Sequence, residues 1–150
     1  MKKFRFRLET LLKFRKMREE EAQIKLAEAN IKLRKEQDIL KDLRKKQADI
    51  FLLLNQKQTN SPTIETLKTY SYYIDKIKSD ITAQQEEVAK AAAYRQECLV
   101  VMEDAMKQRK LVDNLRTKRL EQYNDELLHE EQKILDELGT QAYMRDRESV

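Results

Sequence analysis

The sequence predicts an all-α chain: two long helices folded as an antiparallel coiled-coil hairpin, with the C-terminal end of the second overhanging the first. Three observations carry this. The 150 residues hold one glycine and one proline, Gly139 and Pro62, so strong helix breakers occur at two places only. Glu, Lys, Leu, Ala, Arg and Gln dominate, charged residues reach 39 % and Trp is absent, a long-helix composition. Apolar residues recur at heptad spacing on both sides of Pro62.

The first helix is expected over about residues 4–54. One heptad frame puts Leu12, Leu26, Leu33, Leu40 and Leu54 at position a, and Ala22, Ala29, Leu43 and Ile50 at d. Arg15, Glu19, Glu36 and Gln47 interrupt it, leaving nine of thirteen core positions apolar. A turn is expected at 55–62, where the run Asn55 to Ser61 is polar and ends on Pro62. Ser61 suits an N-cap, and Pro62 suits the first helical position.

The second helix is expected over about 63–138. Leu67, Ile74, Ile81, Val88 and Met102 take a; Tyr70, Ile77, Ala91, Cys98, Ala105 and Val112 take d. After Val112 the phase slips by four residues and resumes at Leu120, Tyr123, Leu127 and Ile134. An insertion of four is a stutter that locally unwinds a supercoil. Gly139 opens an expected tail, 139–150, and the whole of 1–150 reads as one coiled-coil domain. A fold-back about 58–59 sets Phe4 opposite about residue 114. Residues 115–138 then project alone with an apolar stripe that needs a partner.

No run of eighteen apolar residues exists, so no membrane span is expected. The lone Cys98 cannot form an internal disulfide, and a cytoplasmic protein is the simplest reading. His129, the single histidine, reads as an exposed helix residue, and Cys98 as a small seam residue. One glycine cannot make a phosphate-binding loop. A two-helix chain shapes no pocket around its carboxylates. No enzyme activity and no cofactor are expected.

Charge is segregated. Residues 1–18 carry eight basic side chains against Glu9 alone, and 107–119 carry six against Asp113 alone. Residues 121–137 carry seven acidic side chains against Lys133. The hairpin merges the two basic blocks into a collar, with the acidic block just beyond it. Such blocks suit electrostatic docking. Nucleic acid is a poor ligand here, because no aromatics interleave with the cations and the acidic block repels phosphate. Tyr72 and Tyr73 fall outside the seam positions and read as an exposed aromatic pair, a residue type enriched at interfaces.

Three segments together resemble the FliJ family of bacterial flagellar protein export. They are Phe4-Arg5-Phe6-Arg7-Leu8-Glu9-Thr10-Leu11-Leu12-Lys13-Phe14-Arg15, the aromatic-rich Leu67 to Ile77, and Glu131 to Leu138 followed by Tyr143. The resemblance implies a non-enzymatic stalk and adaptor, peripheral at the cytoplasmic face of the inner membrane at the flagellar basal body. It implies docking of the termini-bearing end into the centre of the hexameric export ATPase, FliI. On this chain the docking residues would be Arg5, Arg7, Arg116, Arg119, Leu120, Tyr123, Leu127 and Ile134. It further implies contact with the export gate, FlhA, carried over to Leu43, Ile50, Tyr73 and Ile77, and an escort role for substrate chaperones. Two other readings remain. One is a structural or chaperone-like coiled coil that oligomerises through the 115–138 stripe. The other is a prefoldin-like holdase, which needs strand hairpins that the polar turn does not offer.

Overall fold

The computed structural model of the chain describes residues 2–58 and 63–149. It contains two helices, α1 (Glu9–Gln58) and α2 (Ile64–Glu148). The chain divides into two compact units, one of residues 1–19 with 105–150 and one of residues 20–104. In each unit α1 and α2 lie antiparallel.

In the unit of residues 20–104, Ile50, Ile74 and Ile77 form a buried cluster with Leu54, Tyr70 and Ile81 packed on it. Ala22, Ala29, Ala91 and Cys98 are also buried. The heptad frame holds along α1, including its polar positions: Glu36 and Gln47 are half-buried like their apolar neighbours. Glu36 is met across the seam by Gln84, whose side-chain amide donates to the Glu36 carbonyl at 3.0 Å and to its carboxylate. Leu67, expected in the seam, is exposed.

In the unit of residues 1–19 and 105–150, Leu12 and Val112 are buried. Arg15 donates to the Gln108 carbonyl at 2.9 Å. Glu19 is buried and paired with Arg109, which also reaches Asp113 at 3.3 Å. The stutter is visible: the covered positions of α2 run Val112, with Asp113 beside it, then Arg116, Leu120, Tyr123 and Leu127, two steps of four in succession from Val112.

Four sequence expectations need correction. First, α1 starts at Glu9, not near residue 4. Lys2, Lys3, Arg5 and Arg7 would lie against the positive end of a helix dipole, whereas Glu9 in the first turn complements it. Second, α1 continues through Asn55 to Gln58, because the polar residues there are adequate helix formers and carry no breaker. The expected cap Ser61 and Pro62 lie outside the described residues; the cap of α2 is Thr63, whose Oγ1 accepts from the Thr66 N–H at 3.3 Å.

Third, the register shifts. The facing partner lies further along α2 than a fold-back about 58–59 places it. Glu9 pairs with Arg116 and Phe4 lies on Tyr123, so the stretch expected to project alone from 115 is covered to Leu127. Fourth, α2 passes through Gly139 to Glu148. A mid-helix glycine costs only about 1 kcal/mol, and the basic last turn, Arg145 and Arg147, favours continuation.

Candidate protein-docking site

Residues 2–8 form a non-helical strap along α2. Its pattern is that of an extended chain, in which alternate side chains face opposite ways. Phe4 and Phe6 are half-buried, whereas Lys3, Arg5 and Arg7 are exposed. Phe4 packs on Tyr123 with ring centroids 5.5 Å apart. The Tyr123 hydroxyl donates to the Lys2 carbonyl at 2.7 Å. The Arg116 guanidinium lies 5.9 Å from the Phe4 ring centroid and bonds the Glu9 carboxylate at 3.1 Å. An open groove follows, lined by the strap with Leu115, Arg119, Gln122, Tyr123 and Glu126.

The predicted ATPase-facing residues thus divide by role. Arg5, Arg7 and Arg119 are exposed cations around one groove. Arg116 is tied into the unit by its ion pair and ring contact. Leu120, Tyr123 and Leu127 are half-buried, Tyr123 against the strap. Ile134 is 57 % exposed, and Leu128, Leu135 and Leu138 are similarly open. From residue 128 onward every described side chain of α2 is exposed. Sequence reasoning missed the strap as a distinct element. The signal was present in the alternation Phe4-Arg5-Phe6-Arg7-Leu8, which has a period of two and not a helical period.

Of the predicted gate-facing residues, Ile50 and Ile77 sit in the buried cluster and Leu43 is half-buried in the seam. Tyr73 is 48 % exposed beside Tyr72 at 77 %. Cys98 is buried, as expected of a seam residue, and Tyr94 hydrogen-bonds to it; that bond, then repulsion from the thiolate form, raises the Tyr94 phenol above its ordinary value. His129 is exposed.

The model of the family described as "Flagellar FliJ protein" matches residues 4–148. The chain belongs to the FliJ family. Membership makes it a component of flagellar export, with export-apparatus partners. This FliJ-family chain is also similar in fold to a solved structure described as a YscO homolog, CT670 from Chlamydia trachomatis. The TM-score is 0.53 at 17 % identity, over 99 % of this chain and 100 % of that one. No curated protein matches it. No helix among the described residues of the FliJ-family chain is long and apolar enough to cross a membrane.

Proposed function

We propose that this FliJ-family chain is a non-enzymatic stalk and adaptor of the flagellar export apparatus. Its termini-bearing unit docks into the centre of the hexameric export ATPase of FliI type, promoting ATPase assembly and secretion. The observation that carries the reading is the apolar face of α2 beyond Leu127, left open next to a groove ringed by Arg5, Arg7 and Arg119. The apolar face supplies the contact, and the cations steer it onto acidic groups lining a ring. Tyr123 and Arg116 hold the strap that carries two of those cations.

A second contact belongs to the other unit. Tyr73, with Tyr72, offers an exposed aromatic surface for the FlhA-type export gate, and Leu43, Ile50 and Ile77 belong to the seam of the same unit. Peripheral association with the cytoplasmic face of the inner membrane follows from that contact, since α2 itself does not span. Substrate chaperones are further partners by the same family reading.

Ile134→Asp and Leu138→Asp, both at open positions, test the ATPase contact. Placing an unpaired carboxylate in an apolar interface costs several kcal/mol, so ring binding and ATPase activation should fall sharply while helicity stays near wild type. Normal activation by both variants would sink the contact. Tyr73→Ala tests the gate contact by loss of binding without loss of stability. Ile50→Ala and Ile77→Ala cannot serve, because a buried isoleucine truncated to alanine costs about 2–5 kcal/mol of fold.

A further inference from the structure

We infer that, when no ring is bound, the open end of α2 is covered by the same segment of a second copy of this chain, packed antiparallel about a twofold axis near residue 136. Beyond the last position covered within the chain, Leu127, the face continues at steps of four and three: Glu131, Ile134, Leu138, Gln141 and Arg145. At about 100° per residue these lie on one side of the helix. It is the continuation of the side that faces α1 earlier in the same unit, and Ile134 and Leu138 stand open on it, each more than half exposed.

The charges on that face select the occupant and its direction. Glu131 and Arg145 interrupt the apolar run with opposite signs. Two copies packed in parallel would set Glu131 against Glu131 and Arg145 against Arg145. Two copies packed antiparallel set Ile134 against Leu138 of the partner, and Leu138 against Ile134. They bring each Arg145 to the turn holding Leu127 and Glu131 of the other. One chain cannot satisfy itself this way, because α2 is continuous from Ile64 to Glu148 and cannot fold its end back. Pairing of this kind is isologous: the same patch is used on both copies and nothing is left over to propagate a filament.

Self-pairing and ring docking use one face and exclude each other, but the inference is tested on the purified full-length chain alone. In sedimentation velocity the wild-type chain should pass from monomer to dimer as its concentration rises. Arg145→Glu should weaken the dimer roughly tenfold, for two lost charge pairs replaced by repulsion. Glu131→Arg with Arg145→Glu should restore it. In a Cys98→Ser background, chains carrying Glu131→Cys should form disulfide dimers when mixed with chains carrying Gln141→Cys, and neither should do so alone. Both positions are exposed, so neither change threatens the fold. A monomer at every concentration overturns the inference, as does crosslinking of Glu131→Cys chains with themselves, which would report parallel packing.

Discussion

Glu19 is the one charged side chain buried among the described residues, at 8 % exposure. Its cost is met by Arg109, which in turn reaches Asp113. Removing one partner of such a pair strands the other, so Glu19→Ala should lower unfolding free energy by about 2–3 kcal/mol in urea titration. Replacing both Glu19 and Arg109 by leucine should recover most of that loss, and a double variant as weak as the single would contradict this account. The sequence marks Arg15, Glu19 and Glu36 as interruptions of an apolar frame. Their partners, Gln108, Arg109 and Gln84, were not legible, because naming them requires the register and the register depends on where the chain reverses.

Tyr94 offers a second measurement at this scale. Its phenol is held above the ordinary value by Cys98, so it binds its proton more tightly folded than unfolded. That contribution to stability is complete below the unfolded value and fades as pH rises through the folded one. Ultraviolet titration of tyrosinate should show one tyrosine ionising late, and Cys98→Ala should bring it back toward the others. If the titration curve is the same in both proteins, the Tyr94–Cys98 bond is not formed.

At the scale of the element, Gly139 misled the reading because glycine ends helices well but does not oblige them to end. A Cβ built there meets nothing within 4 Å. Gly139→Ala should therefore stabilise the end of α2 by about 0.5–1 kcal/mol, with no steric penalty. Circular dichroism should show increased helicity, and amide exchange around residue 139 should slow; no change in either would mean that the segment is not helical in solution. The strap is the opposite case. The first helix was drawn from about residue 4 because no strong breaker precedes Leu12, although the local alternation from Phe4 to Leu8 has a period of two. Steering belongs to this element as well. Arg5, Arg7 and Arg119 changed together to Gln should slow ring association at low salt and matter little at 1 M, where the Debye length is about 3 Å. Arg116→Gln should differ by also loosening Phe4.

At the scale of the molecule, both helices, their direction and most seam residues were legible, because period 3.5 over many turns leaves few other solutions. The overhang was legible too, but its start was set too early by the same displacement that shifted the register. The corrected register makes a sharp test. In a Cys98→Ser background, Leu54→Cys with Tyr70→Cys should crosslink within one chain, since both side chains pack on the Ile50, Ile74 and Ile77 cluster. Links found only between chains would refute the intramolecular pairing.

The bond from Tyr123 to Lys2 spans 121 positions of sequence. Synthesis runs from the N-terminus, so Lys2 is made 121 residues before its partner. Until then the strap has no surface to lie on, and Phe4 and Phe6 travel uncovered on the nascent chain. The groove and its cations are therefore assembled only after Tyr123 has been made, which keeps a chain still short of that point from presenting the arrangement proposed to engage the export ATPase.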